Sequence, residues 1–147
     1  MALNYYAKEL KENAQLLASK GKGILAVDES TKTVGKRLAG IGVENTEENR
    51  KAYRGMLFTT KDLGKYISGA ILFEETLFQN HPDGEPMVKK LNDLGIIPGI
   101  KVDKGLNPLP GGKDVETFCS GLDGLVERAA KYYEQGARLP SGGLFCR

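Results

Sequence analysis

The 147-residue sequence contains no tryptophan, one histidine and two cysteines, and only 7% of it is aromatic. Cys119 and Cys146 show none of the spacings that hold zinc, and His81 is the one histidine that could complete a site, so no metal site is expected. Long apolar runs are also missing. Ile71-Leu72-Phe73 and Ile96-Ile97 fall far short of the roughly 20 residues needed to cross a bilayer, which argues against a transmembrane segment. A net charge of +2 without a basic stripe argues against a general nucleic-acid binder, and any anion site must therefore be local. Met1-Ala2-Leu3 leads straight into a helical pattern with no apolar signal core or Arg/Ser-rich leader, so a cytoplasmic location is expected. What remains, 40% hydrophobic and 27% charged residues, is the composition of an ordinary globular chain with one core.

The apolar pattern along the chain alternates between two periods. Leu3, Ala7, Leu10, Ala14 and Leu17 recur at helical spacing before Gly21, and predict an amphipathic first helix. Gly23-Ile24-Leu25-Ala26-Val27 is a short apolar run ending at Asp28, read as a buried strand. Asn45 and Glu48 resemble a capping box for a helix that would turn Tyr53, Met56 and Leu57 to one face. Ile67 to Phe73 and Ile96 to Val102 have too few polar alternations for half-exposed strands and suit parallel strands covered on both faces. Met87, Leu91 and Leu94 keep helical spacing between them. Leu122, Leu125, Val126, Ala129 and Tyr133 mark a last helix, with Gly136 as its cap.

Helices alternating with strands predict an α/β fold with a parallel sheet. A fourth strand is due just past Gly136, where Leu139-Pro140-Ser141-Gly142-Gly143 stands instead, a turn-forming and strand-breaking stretch.

Ligands of parallel α/β folds sit at the carboxyl ends of the strands. Asp28 ends the first run, Glu74 and Glu75 the second, and Lys101 and Asp103 the third. Singly, such residues also serve to cap the loops that follow; together they compose a site. After Asp28 come Ser30, Thr31, Lys32, Thr33, Lys36 and Arg37, hydroxyls and cations near a helix start, which are the ingredients of a phosphate site. On spacing alone they are equally a solvated basic surface.

Gly23-Ile24-Leu25-Ala26-Val27-Asp28-Glu29-Ser30-Thr31, Gly35-Lys36-Arg37-Leu38, Glu44 to Arg50, Ile71 to Leu77, Gly99 to Gly105 and Gly121 to Leu125 resemble, in order and spacing, the class I fructose-bisphosphate aldolases. The resemblance covers about residues 3 to 138. It implies a TIM (β/α)8 barrel, here only about its first three units, no cofactor, and a sugar phosphate substrate. The implied reaction is the reversible cleavage of fructose 1,6-bisphosphate to dihydroxyacetone phosphate and glyceraldehyde 3-phosphate. Such cleavage needs an electron sink, supplied in the family by a lysine Schiff base. The resemblance makes Asp28 the active-site carboxylate and Lys101 a cation beside the Schiff-base lysine. Ser30, Thr33, Lys36 and Arg37 fall in the phosphate-binding segment, and Arg50 is a further candidate. Lys32 stands where many relatives have glycine. Members are usually homotetramers.

After Gly136-Ala137-Arg138 the family continues Phe-Ala-Lys-Trp-Arg, a fourth strand that carries another active-site lysine. The Schiff-base lysine and the principal acid/base glutamate lie on later strands still. The chain by itself is therefore expected to be inactive, with at most residual binding of a phosphorylated sugar. Its third strand is expected to be left with an unpaired edge, making a marginally stable or aggregating fragment. The codons TTT GCC AAG TGG AGG ACT GTT TTG TCG T encode the family's continuation, and removing one T gives Leu-Pro-Ser-Gly-Gly-Leu-Phe-Cys-Arg, which is residues 139 to 147. A single-nucleotide frameshift after Arg138 is the reading for this tail, with a splice boundary as the alternative.

Overall fold

The computed structural model describes residues 2–113 and 115–142; the side chains of residues 2–4, and Cys146 with the rest of the tail past Gly142, lie outside that description. Four parallel strands form the main sheet: β1 (Gly23–Val27), β2 (Ile67–Leu72), β3 (Ile97–Lys101) and, last in the chain, the strand Leu139–Ser141. They lie side by side in the order of the chain, each running parallel to its neighbour. That singly wound order is the progression of a parallel barrel.

The helices are α1 (Ala2–Leu17), α2 (Thr31–Ala39), α3 (Glu47–Phe58), α4 (Leu63–Tyr66), α5 (Glu74–Phe78), α6 (Met87–Asp93) and α7 (Leu125–Glu134). Between β3 and α7, a hairpin pairs β4 (Leu106–Pro108) with β5 (Thr117–Cys119) antiparallel, and the strand Leu139–Ser141 is numbered β6. The core lies between the sheet and the helices: Val27, Ala70, Leu72 and Ile100 meet Phe58, Leu77, Met87, Leu91 and Tyr132. Because strand side chains alternate, the residues between these point to the opposite, concave face. Ala26, Ile71, Gly99 and Leu139 are matched across the four strands on that face.

Several expectations change here. Leu139-Pro140-Ser141 is a strand and not a break, so β3 is not left with an unpaired edge. Proline is tolerated because β6 borders the sheet, where a missing N–H costs least. The ladder is fastened on either side of it, by Arg138 N–H to the Pro98 carbonyl and by Val102 N–H to the Ser141 carbonyl, each 2.8 Å. Gly99 allows this approach, since a Cβ there would lie 2.9 Å from the Leu139 carbonyl oxygen.

β1, expected to be buried, is exposed along most of its length, with only Val27 buried, because it forms the other border of the sheet. In α3 the cap is Thr46 and not Asn45: its hydroxyl accepts the Asn49 N–H at 3.2 Å. The buried stripe of α3 is Arg50, Arg54 and Phe58, while Met56 is exposed. An apolar count misses such a face because its two arginines are buried through ion pairs. α7 begins at Leu125 rather than at Leu122, and buries Tyr132, leaving Leu122 and Val126 in solvent.

Candidate functional site at the carboxyl ends of the strands

Register places the ionisable residues. Lys101 ends β3 and pairs with Ser141. One residue beyond the matched Val27 and Leu72 come Asp28 and Phe73, so Asp28, Phe73, Lys101 and Ser141 form one row on the concave face. Strands are about 4.8 Å apart, which sets Asp28 and Lys101 about 10 Å from each other across β2. All four are half-buried. The Lys101 ammonium donates to the Asp103 carboxylate, whose other oxygen accepts the Gly105 N–H at 2.9 Å. Among the described residues, no side chain is paired with the Asp28 carboxylate.

The hairpin closes over the end of β3. Lys104 N–H donates to the Ser120 carbonyl at 2.9 Å, and Asn107 Nδ2 to Ser120 Oγ at 2.9 Å. From α7, Arg128 donates to the carbonyls of Val102, at 3.1 Å, and of Gly121. The segments 102–107 and 120–121 beside Lys101 are thus tied together by backbone bonds, by Asn107 and by Arg128.

Ser30 caps α2. Its hydroxyl accepts the Thr33 N–H at 3.4 Å and lies 3.1 Å from Thr33 Oγ1. Lys36 and Arg37 fall in the last turn of this helix and not at its start. Helical side chains lean toward the N-terminus, and the long Arg37 side chain reaches back to Glu29, with 3.0 Å between guanidinium and carboxylate. The structure thus brings Ser30, Thr33 and Arg37 to one end of α2, while Lys36 is exposed.

Arg50 is placed differently from the expectation. Its guanidinium holds the Glu75 carboxylate in a bidentate pair, 2.6 and 2.9 Å, and donates to both oxygens of Asn45, at 3.0 and 3.1 Å. The Glu75 hydrogen bonds raise the pKa of Arg50. Asn45 Nδ2 in turn donates to the Thr31 carbonyl at 3.1 Å, packed where only glycine fits at position 35. One chain of contacts therefore runs from the end of β2 to the first residue of α2.

Arg54, which sequence reasoning missed, is fully buried. It donates to the Glu29 carbonyl at 2.6 Å, lies 3.8 Å from Glu75 and stacks 5.8 Å from the Phe73 ring centroid. Burial lowers its pKa, opposed by the charges of Glu29 and Glu75. Glu29 Oε2 is buried without a hydrogen-bond partner, as are Arg54 Nε and Nη1. Arg50 and Arg54 sit one helical turn apart with two acidic residues at strand ends nearby in space. That i, i+4 repeat was the one signal in the sequence for this cluster. The two arginines hold residues 28 to 31 in place.

An apolar cavity of about 310 Å³ lies elsewhere, between α1, α7 and β6, lined by Leu10, Ile100, Ala129, Tyr132 and Pro140 among others. It contains neither Asp28 nor Lys101.

Parallel strands added in chain order with helices packed on one face define the opening units of a (β/α)8 barrel. A family model described as fructose-bisphosphate aldolase class-I matches residues 9–141. Fructose-bisphosphate aldolase 1 of Toxoplasma gondii is 66% identical over 133 residues, covering 90% of this chain and 36% of that one. The chloroplastic fructose-bisphosphate aldolase of Spinacia oleracea is 62% identical over 134 residues, 91% of this chain and 34% of its own. A crystal structure of the aldolase of Plasmodium falciparum, in complex with TRAP and a small-molecule inhibitor, superposes with a TM-score of 0.88 at 58% identity, covering 92% of this chain and 39% of that one. The chain belongs to the class I fructose-bisphosphate aldolase family. It spans about a third of the length of the curated relatives it matches.

Proposed function

We propose that this chain carries the N-terminal part of an aldolase substrate site, serving the reversible cleavage of fructose 1,6-bisphosphate to dihydroxyacetone phosphate and glyceraldehyde 3-phosphate by a Schiff-base mechanism. The observation that carries the reading is the row of Asp28 and Lys101 on one face of the sheet, with Ser30, Thr33 and Arg37 beside it. Asp28 is the carboxylate for the reacting hydroxyls. The hydroxyls, the free N–H groups at the start of α2 and Arg37 take a phosphate, with Lys36 adding charge. Arg50 contributes by fixing the position of that segment, because its hydrogen bonds are taken up by Glu75 and Asn45.

A second reading is that the 147-residue chain binds sugar phosphates without cleaving them. One feature favours it: Ser141, paired with Lys101, occupies the place of the family's strand-four lysine.

Titration with fructose 1,6-bisphosphate, followed by the same titration of Arg37→Ala, tests the site. Loss of one charge-assisted hydrogen bond of about 1.5 kcal/mol corresponds to about tenfold weaker binding. No binding by the parent chain, or no change in the variant, overturns the assignment. Incubation with dihydroxyacetone phosphate, borohydride reduction and mass measurement tests the second reading. It expects no adduct; a stoichiometric one defeats it.

We also infer that residues 139–147 arise from a one-nucleotide shift of frame after Arg138, which transcript sequencing tests directly. A cytoplasmic location is also proposed; imaging a tagged protein decides it against the chloroplast, where the spinach relative is placed by name.

A further inference from the structure

Three arginines converge on residues 29–31, and only one of them is able to leave. Arg50 is buried, bonded to both oxygens of Glu75 and of Asn45, and Asn45 in turn holds the Thr31 carbonyl. Arg54 is 0% exposed and donates to the Glu29 carbonyl at 2.6 Å. Arg37 differs from both: its side chain is 59% exposed and makes one ion pair, 3.0 Å to Glu29 Oε1. A pair with so open a partner holds weakly, because water screens the charges and the long side chain loses rotamer freedom.

Glu29 has a second side that faces inward. Its Oε2 is buried and accepts no hydrogen bond, while Arg54 Nε and Nη1, also buried, donate none. Buried polar groups of opposite charge left unsatisfied gain by meeting. Burial lowers the pKa of Arg54 and the Glu29 charge opposes it, so the two groups already act on each other.

We propose that Glu29 is an internal competitor at the phosphate site: a phosphate ester draws Arg37 off Glu29 Oε1, and the released carboxylate turns inward to Arg54. This rests on the reading of Ser30, Thr33 and Arg37 as a phosphate site. The exchange sets specificity. A phosphate dianion engages the guanidinium bidentately and takes the free N–H groups at the start of α2 as well, so it outcompetes a carboxylate. A ligand carboxylate offers Arg37 no more than Glu29 does, and a neutral sugar offers less. Turning inward also withdraws a negative charge from the side of the bound phosphate.

The 147-residue chain is titrated with fructose 1,6-bisphosphate as the parent and as Glu29→Gln, which keeps the shape and removes the competing charge. The variant should bind about threefold tighter, the worth of one exposed ion pair. Nitrogen-15 NMR of the Arg54 Nε–H reads the inward turn. In the parent chain that signal should shift and its exchange with water slow on addition of fructose 1,6-bisphosphate. Arg37→Ala frees Glu29 outright and should show the shifted signal with no ligand present. An Arg54 signal identical in the parent and Arg37→Ala overturns the exchange without reference to any ligand. A parent chain that binds while Glu29→Gln binds no tighter overturns it and leaves the phosphate site standing. A parent chain that binds no fructose 1,6-bisphosphate overturns the phosphate reading and the competition with it. If Glu29→Gln fails to fold, the Arg54 signal in the parent and Arg37→Ala decides alone.

Discussion

Ser141 stands directly opposite Lys101, residue against residue in the parallel pair of β6 and β3. The two side chains share the concave face at the mouth of the sheet. Family members carry a lysine at the third position after Arg138, so this register sets a hydroxyl where a second ammonium is expected.

Ser141→Lys would place two ammonium groups on neighbouring strands about 5 Å apart at the backbone. Like charges directly opposite on neighbouring strands destabilise the sheet, here by about 0.5 kcal/mol, and added salt should relieve the loss. Urea midpoints of both proteins at low and high salt measure it; a midpoint unmoved at low salt would mean that residue 141 does not face Lys101.

Glu75→Gln keeps the shape and removes the charge that Arg50 and Arg54 share. Arg54 is 0% exposed and would be left with only the partly compensating Glu29. Breaking a buried pair from one side costs about 3 kcal/mol. A shift of the urea midpoint corresponding to less than about 1 kcal/mol would show that solvent reaches the cluster. Because Arg54 also holds the Glu29 carbonyl, the same variant should weaken binding of fructose 1,6-bisphosphate.

Acid should loosen the entry to α6. The Lys90 ammonium, the Glu85 N–H and His81 hold the Asp83 carboxyl well below its ordinary range, and Lys90 and Lys89 lower Glu85. A depressed carboxylate pKa contributes stability above the unfolded value, about 4, and loses it as pH falls through the folded value. Stability should therefore decline below about pH 4, and Asp83→Asn should flatten that part of the profile. Thermal melts of both proteins between neutral pH and pH 3 measure the difference; equal slopes would remove Asp83 from the account.

Much of the strand plan was legible in the residues themselves. Gly23 to Val27, Ile67 to Leu72 and Ile97 to Lys101 are apolar runs because parallel strands must bury their convex side, and polar residues follow within one or two positions, or close the strand as Lys101 does, because the carboxyl end meets solvent. The motif blocks carried the family for the same local reason, since a site at strand ends is written in short contiguous segments. The β4–β5 hairpin was not visible: its strands are three residues long, and one ends in proline.

Long-range partners settled what local pattern could not. Asn45 and Arg50 read as a cap and a phosphate ligand, and Arg54 drew no reading at all; tertiary contacts made the three a strut between the end of β2 and the start of α2. Leu139-Pro140-Ser141 has poor strand propensity, yet β3 offers it a partner and Gly99 gives it room. The sequence alone determined the family and the first three parallel strands, because these depend on residue type and spacing. Only the tertiary structure decided which cations are spent on internal carboxylates and that residues 139–141 pair with β3, because pairing energies belong to two distant positions at once.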